Sequence, residues 1–119
     1  MSWTAEDVIE LLRGCRYTGG NRDEACFLSP YQIAVLLVEN GLADKKIGGR
    51  GQGSGTLAEE VALNLSKYVD TNSAPKLERG FFSIKGLEKF SFDGDKEPSS
   101  ETFAVFRIEE SVESKRQKS

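Results

Sequence analysis

A glycine-rich loop in the middle of the chain holds the residues best suited to bind a ligand. Residues 47–56 contain five of the twelve glycines, and glycine lets a backbone approach a bound group closely. Lys45, Lys46 and Arg50, set against Asp44, leave this region with a net charge of +2. Consecutive glycine amides that lead into a helix N-terminus form a concave surface for phosphate or carboxylate groups. The candidate anion site consists of Lys46, Gly49, Arg50, Gly51, Gly53 and Thr56.

The loop does not match the established phosphate-binding motifs in full. A Walker A motif needs a lysine directly after a glycine, and this loop has none. Residues 53–58 fit the pattern G-x-G-x-x-A, but a dinucleotide fingerprint also needs a buried strand before it, which residues 45–47 do not supply. Two interpretations stay open: a pocket for a small anion or nucleotide, and a flexible, solvated joint.

Catalysis is not expected, because the chain contains no histidine. Its absence excludes Ser-His-Asp and Cys-His nucleophilic machinery and every histidine-ligated metal centre. The only suggestive carboxylates are Glu59 and Glu60, just after the glycine-rich loop. Acidic residues are common in a first helical turn because they interact favourably with the helix dipole. We therefore predict a protein that is not an enzyme and that needs no cofactor or metal.

Length and charge favour a single acidic domain. The 119 residues carry a formal charge of −3, so nonspecific attraction to nucleic acid or to an anionic membrane is not expected. We predict one α+β domain over residues 1–109 and a flexible polar tail over residues 110–119. The first residues do not resemble a secretory signal, and the longest apolar run, residues 33–38, is too short to span a membrane. A cytoplasmic protein is expected.

Cys15 and Cys26 lie on either side of a glycine-rich bend. Two cysteines are too few for a disulfide framework, and their spacing matches no zinc-binding pattern. Since a free cysteine behaves as a small hydrophobic residue, we expect both to be reduced, structural and mostly buried.

Capping residues mark the starts of three helices. The capping pairs are Thr4 with Asp7, Ser29 with Gln32, and Thr56 with Glu59. Pro30 fits the first position of the second helix, and Gly41 fits its C-terminal end. Because residues 33–38 are all apolar, the core is expected to surround this helix on most sides.

The third predicted helix carries one apolar stripe that faces the core. The stripe consists of Leu57, Ala58, Val61, Ala62, Leu65, Tyr68 and Val69. Leu63 projects instead among polar residues, and an exposed leucine of this kind can mark a contact surface. The candidate interaction residues are therefore Leu63, Glu59 and Lys67.

The strands are predicted mainly in the last third of the chain. A turn is expected at residues 17–24, followed by a short extended segment before Pro30. Residues 80–84 and 88–92 favour one strand bent at a glycine, or two short strands. After a long polar loop, residues 102–108 are apolar on both faces, with Phe103 and Val105 on one side and Ala104, Phe106 and Ile108 on the other, which indicates a strand covered on two sides. The aromatic residues of these segments are interpreted as core packing rather than as platforms on which nucleic-acid bases stack: Phe81, Phe82, Phe90, Phe92, Phe103 and Phe106.

The resulting order is helix, short strand, helix, helix and a hairpin with a long loop. This order, with the short strand between the first two helices, resembles a winged-helix domain over residues 4–108. The run Phe27-Leu28-Ser29-Pro30-Tyr31-Gln32-Ile33-Ala34, with the glycine-rich loop and Leu57-Ala58, is similar to small uncharacterised bacterial proteins carried on mobile elements. The fold class is therefore expected to be α+β, with three helices packed on a small antiparallel sheet.

Three functions are consistent with these patterns. The first is a non-catalytic interaction or regulatory module that acts as a homo-oligomer or with a protein partner. The second, implied by the winged-helix resemblance, is a DNA-binding regulator that uses the third helix and the wing at residues 93–101. The third is an anion- or nucleotide-binding protein that uses the glycine-rich loop.

Overall fold

The computed structural model describes residues 3–44, 47, 55–88 and 101–109. Within these ranges the chain forms three α-helices and two antiparallel sheets of two strands each. In chain order the elements are α1 (Ala5–Arg13), β1 (Arg16–Gly19), β2 (Arg22–Ala25), α2 (Pro30–Glu39), α3 (Leu57–Asp70), β3 (Leu77–Ser83) and β4 (Thr102–Ile108). The predicted α+β class, with three helices and a small antiparallel sheet, is confirmed.

The first two helices begin at the capping boxes predicted for them. Thr4 Oγ1 accepts a hydrogen bond from the Asp7 amide at 3.2 Å, and Asp7 accepts one from the Thr4 amide at 2.8 Å. Ser29 and Gln32 form the same reciprocal pair at 3.2 and 2.9 Å. Gly41, at φ +71°, follows the end of α2 as predicted. Local hydrogen-bonding chemistry therefore sets these boundaries.

The capping box predicted for α3 is only half formed. Thr56 Oγ1 accepts from the Glu59 amide at 3.4 Å, as expected. The Glu59 carboxylate, however, accepts from the Gly55 amide at 2.8 Å rather than from Thr56. Gly55 has a φ of +92°, a conformation that favours glycine, and the turn it makes brings its amide to the carboxylate.

Residues 17–24, predicted as a turn, form most of a polar hairpin made by β1 and β2. The two strands pair antiparallel, starting with Arg16 opposite Ala25. Gly20, at φ +56°, is the first residue of the two-residue turn, where glycine is favoured. The sequence prediction was wrong because these strands have polar faces and lack apolar alternation. An ion pair from Arg16 to Asp23 at 2.6 Å links them instead.

β3 and β4 form the longer hairpin. They pair antiparallel from Leu77 opposite Ile108 to Ser83 opposite Thr102. β3 therefore begins three residues earlier and ends one residue earlier than the predicted strand at residues 80–84. Of the three additional residues, Glu78 and Arg79 are charged and give no apolar strand signal, although their backbone continues the ladder.

The bend predicted at Gly86 is a tight turn after β3. The Leu87 amide donates to the Ile84 carbonyl at 3.0 Å, and Gly86 has a φ of +90°. Glycine is required at that position of a type II turn. The second strand predicted at residues 88–92, the loop at residues 93–101 and the polar tail lie almost entirely outside the described residues.

The extended segment before α2 joins the longer hairpin through a single residue. Leu28 and Phe106 exchange both backbone hydrogen bonds, each at 2.8 Å. Leu28 therefore lies beside β4 on the edge opposite β3. Residues directly opposite each other share a face of a sheet, and both of these side chains are buried. This contact ties the start of α2 to the hairpin.

The core lies between the three helices and one face of the β3–β4 hairpin, called here the inner face. The largest completely buried hydrophobic side chains are Val8, Leu12, Ile33, Leu37, Leu57, Val61, Leu65 and Phe106. On the inner face, Phe106 is 0% exposed and Leu77 is buried. Mutual burial of the helix stripes against this face therefore provides the main cohesion of the fold.

α2 is the most apolar helix, yet only one of its sides is buried. Ile33, Ala34 and Leu37 are buried, whereas Val38 is exposed. The expectation that the core surrounds residues 33–38 on most sides is therefore wrong, because α1, α3 and β4 pack against α2 without enclosing it. No helix in the described part of the chain is both long enough and apolar enough to cross a membrane.

Candidate functional site

The outer face of the β3–β4 hairpin carries a group of phenylalanines that the core does not cover. Register places Gly80 opposite Val105 and Phe82 opposite Phe103, so these four residues share one face of the sheet. The ring of Phe27 lies on the same face, beside Gly80. We call Phe27, Phe82, Phe103 and Val105 the phenylalanine face.

Phe27 is held on this face by its neighbours. Its ring lies 3.4 Å from the position that a Cβ atom on Gly80 would occupy, so the glycine leaves room for it. The Arg107 guanidinium lies over the ring, 4.5 Å from its centroid. Arg107 is itself held by Glu78 at 2.9 Å and by the carbonyl of Ala25 at 3.3 Å. The ring is therefore positioned rather than free to rotate away.

Phe103 connects the phenylalanine face to the core. Its ring meets Tyr31 edge-on and Phe82 at a tilt, with 5.7 Å between centroids in both pairs. Tyr31 is a buried residue in the first turn of α2, whereas Phe82 is 42% exposed. The aromatic contacts thus run from a fixed interior residue to the surface, which limits the movement of the outer rings.

A shallow apolar cavity of about 300 Å³ lies between this face and the start of α2. Its wall consists of Phe27, Ser29, Gln32, Gly80, Phe81, Phe82, Phe103 and Val105. Phe81 is at the rim and is 76% exposed, the largest exposed fraction of the large hydrophobic side chains in the described residues. Because the polar groups of Ser29 and Gln32 are engaged in the helix cap, the cavity offers a mainly apolar surface.

The prediction that both faces of the last strand are covered is therefore only half correct. The predicted sides are confirmed, with Phe103 and Val105 on one face and Phe106 on the other. The three helices pack on the inner face and bury Phe106 and Leu77 there, but they leave Phe81 on the same face exposed. The aromatic residues interpreted as core packing include Phe81 and Phe82, which are exposed.

The candidate interaction residues on α3 lie along one exposed stripe. Glu59, Leu63 and Lys67 are spaced by four residues, which places them on the same side of a helix. All three are exposed, and Leu63 is 66% exposed. The Glu59 carboxylate is already engaged by the Gly55 amide. Leu63 is thus a single apolar residue among polar ones rather than part of an apolar patch.

A second cavity, of about 480 Å³, lies between the start of α1 and α3. It is lined by Trp3, Thr4, Ala5, Glu60, Asn64, Lys67, Tyr68, Thr71 and Ser73. Trp3 Nε1 donates to Glu60 Oε1 at 2.8 Å, so Glu60 does not point freely away from the protein as the helical pattern suggests. Tyr68 Oη donates to the Pro75 carbonyl, and burial followed by the charge of Glu6 raises the pKa of this phenol. Most of the polar groups that line this cavity therefore form hydrogen bonds with other residues of the protein.

Of the predicted anion site, only Thr56 lies within the described residues. At this end of α3 the Ala58 amide donates to the Ile47 carbonyl at 2.8 Å, and the Glu59 amide donates to Thr56 Oγ1. The Glu59 carboxylate adds a negative charge at the same place. The helix terminus is therefore capped from within the protein. The anion-site hypothesis stays a prediction that concerns the glycines and basic residues of the loop.

The two cysteines are free thiols and are half-buried rather than mostly buried. The Cys26 amide donates to the Cys15 carbonyl at 2.9 Å, which continues the β1–β2 ladder by one more pair of residues. Burial, and to a lesser extent the nearby Cys26, raises the pKa of the Cys15 thiol. A thiol with a raised pKa is a poor nucleophile at neutral pH.

Comparisons with family models, with curated proteins and with solved structures give no match for this chain. Function therefore has to be argued from the surface itself. Within the described residues, no group of histidine, cysteine, aspartate and glutamate side chains is arranged to hold a metal ion. What the arrangement offers is a fixed aromatic surface that can pack against another apolar surface.

Sequence reasoning missed Phe27, Gly80 and Arg107 as site residues. Gly80 carries no apolar signal, and the ring of Phe27 reaches it from a different segment of the chain. A usable signal was present in the alternation of β4, since Phe103 and Val105 had to face the side opposite Phe106. The pattern could not predict how much of each face of β4 the helices cover.

Proposed function

We propose that this chain is a non-catalytic interaction module that binds a protein chain, a second copy or another protein, through the phenylalanine face. The observation that carries the proposal is the exposure of two phenylalanines of this face, Phe82 at 42% and Phe27 at 39%, beside Phe81 at the rim of the cavity, which is 76% exposed. Exposed apolar side chains are common singly, but clustered aromatic ones indicate an interaction surface. Each loses favourable free energy by remaining in water.

The chemistry of the surroundings also supports a protein partner. Aromatic residues and arginine are enriched at protein–protein interfaces, usually with a polar rim around an apolar centre. Here the apolar cavity is bordered by the Arg107–Glu78 ion pair on one side and by the capped start of α2 on the other. Because Phe27 and Phe103 are held in place, little conformational entropy is lost when a partner packs on them.

The proposal can be tested by photo-crosslinking in living cells. We would replace Phe82 by p-benzoylphenylalanine and, as a control, place the same residue at Leu87. Leu87 is also exposed, at 51%, but does not line the cavity. Irradiation is expected to give a discrete protein adduct from position 82 and none from position 87. Equal labelling at both positions, or no protein adduct at position 82, would contradict the proposal.

DNA binding is a second candidate, because one observation favours it. Leu28 bridges to Phe106, which puts an extended segment beside the hairpin in the manner that the winged-helix resemblance implies. Against it, the exposed stripe of α3 carries Glu59 as well as Lys67, and DNA binding draws on clustered positive charge. The test is retardation of duplex DNA at low salt, compared with a variant that lacks Lys45, Lys46 and Arg50. Absence of retardation would exclude this candidate.

A further inference from the structure

The outer edge of β3 has no neighbouring strand within the described residues. The Ile84 amide donates to Glu101 and the Glu109 amide donates to Lys76, so even-numbered residues of β3 turn their backbone groups toward β4. Backbone groups alternate in direction along a strand. The N–H and C=O groups of Leu77, Arg79, Phe81 and Ser83 therefore point away from β4, and β4 is the only strand paired with β3 in the described chain.

This edge lacks most of the features that prevent the edge strands of two molecules from pairing with each other. β3 contains no proline and no lysine, and it continues for seven residues without a bulge. Its two charged residues are neutralised within the same chain. Arg79 pairs with Asp70 at 3.1 Å, and Glu78 pairs with Arg107 at 2.9 Å. An identical strand brought alongside therefore meets little repulsion.

We propose, on the basis of the proposed function, that the partner of this surface is a second copy of the chain, added edge to edge so that β3 pairs antiparallel with β3 of the second copy. A strand added in this way forms main-chain hydrogen bonds with outward groups of the edge. The pairing also brings in the exposed Phe81, which lies on the same edge.

Symmetry restricts the register of this pairing without fixing it. Two identical antiparallel strands related by a two-fold axis must be centred on one residue when outward groups face outward groups. Centring on Gly80 would place Arg79 opposite Phe81 and would leave the two Phe81 rings apart. Centring on Phe81 puts the two Phe81 rings side by side, and it places Phe82 of each copy opposite Gly80 of the other. Centring on Arg79 would instead face like charges. The pairing at Phe81 removes the most exposed ring from water and extends the phenylalanine face across the dimer.

The first test measures amide hydrogen exchange at several protein concentrations. The amides of Arg79 and Phe81 are expected to become protected as concentration rises, whereas those of Gly80 and Phe82, directed at β4, are protected throughout. Protection of all four amides that does not depend on concentration would overturn the inference, since it would show that the edge is covered by another part of the same chain. Exposure of Arg79 and Phe81 at every concentration would overturn it as well.

A second test uses variants and sedimentation equilibrium. Ser83→Pro removes an outward N–H, a change that an edge strand tolerates, and Ser83→Ala is the matched control that keeps it. Because one hydrogen bond is lost on each side of the two-fold axis, Ser83→Pro should weaken dimerisation about tenfold or more, with Ser83→Ala unchanged. Equal effects of both variants, or a wild type that stays monomeric, would contradict the edge-paired dimer.

The two tests separate this inference from the function on which it rests. If position 82 crosslinks a different protein while sedimentation shows only monomers, the interaction module stands and the dimer is wrong. If neither self-association nor a crosslink occurs, both are wrong. Loss of association on Phe82→Ser but not on Ser83→Pro would place the contact on the phenylalanine face rather than on the edge, and would also overturn the dimer proposed here.

Discussion

Phe106 and Phe81 are two phenylalanines of one hairpin with opposite surroundings. Phe106, on the inner face beneath the helices, is completely buried, and Phe81, at the edge of β3 that no other described strand pairs with, is 76% exposed. Both lie in regular strands, and register places them on the same face of the sheet, two residue pairs apart. The difference arises because the helices cover only the part of the hairpin near Leu77 and Phe106.

Phenylalanine therefore has two different roles in this molecule. Phe106, under the helices, helps to hold the fold together, whereas the exposed Phe81 and Phe82 contribute little to the core. Exposed phenylalanines lower the solubility of a folded chain. A partner that buries them would gain the favourable free energy of removing their rings from water. Separate measurements of folding and of association can therefore distinguish the two groups.

The largest expected effect is on Phe106. Phe106→Ala should lower the free energy of unfolding by about 3–5 kcal/mol, because it removes a buried ring and leaves a cavity. Phe81→Ala, the matched change at the edge, should alter it by no more than about 0.5 kcal/mol. Urea unfolding of dilute samples measures both. Similar losses of unfolding free energy in the two variants would show that the inner face and the edge of the hairpin contribute equally to the fold.

A smaller effect is expected at the helix caps. Ser29→Ala should destabilise the protein by about 1–2 kcal/mol, since it leaves the Gln32 amide without its acceptor at a site that is 1% exposed. Thr4→Ala removes an equivalent cap at an exposed site and should cost about 0.5–1 kcal/mol. Thermal or urea unfolding compares them. A larger loss for Thr4→Ala would contradict the importance assigned to the buried start of α2.

Arg107 tests how firmly the outer face is organised. Arg107→Lys retains the charge beside Glu78 but loses the planar stacking on Phe27, and should cost about 0.5–1 kcal/mol. Phe27→Leu with Arg107 intact removes the same stack from the other side. If stacking matters, the double variant should be about as stable as the less stable single variant. If the losses in unfolding free energy are fully additive in this double-mutant cycle, the stacking of Arg107 on Phe27 does not stabilise the protein.

The smallest effect concerns pH. Burial raises the pKa of the Cys15 thiol, so the folded protein holds this proton at alkaline pH values where the unfolded chain releases it. Stability should therefore fall as pH rises past the ordinary thiol value of 9.0. Unfolding measured under reducing conditions should show a weaker pH dependence for Cys15→Ser than for the wild type. Identical pH dependence in the two proteins would contradict a shifted thiol.

Local signals predicted the helices well. The capping pairs at Thr4 and Ser29 and the glycine after α2 mark boundaries that the structure reproduces, because these signals depend on hydrogen bonds between residues close in sequence. The polar hairpin of β1 and β2 was missed for the opposite reason. Turn geometry at Gly20 and the cross-strand ion pair between Arg16 and Asp23 support it, and neither produces an apolar pattern.

The candidate surface was harder to predict than the fold. The alternation of β4 separated Phe103 and Val105 from Phe106, but sequence alone did not show which side the helices cover. Coverage depends on the packing of α1, α2 and α3, which is a long-range property. The contact of Phe27 with Gly80 also joins residues more than fifty positions apart, so no local pattern marks it.

We propose that the exposed phenylalanines of the hairpin stabilise an association between two copies and not the fold of one. The most direct measurement is the urea unfolding midpoint over a wide range of protein concentrations, for the wild type and for the Phe81→Ser, Phe82→Ser double variant. We predict a midpoint that rises with concentration for the wild type, and a constant midpoint for the variant that equals the dilute wild-type value. A constant wild-type midpoint, together with a variant destabilised at every concentration, would contradict the claim.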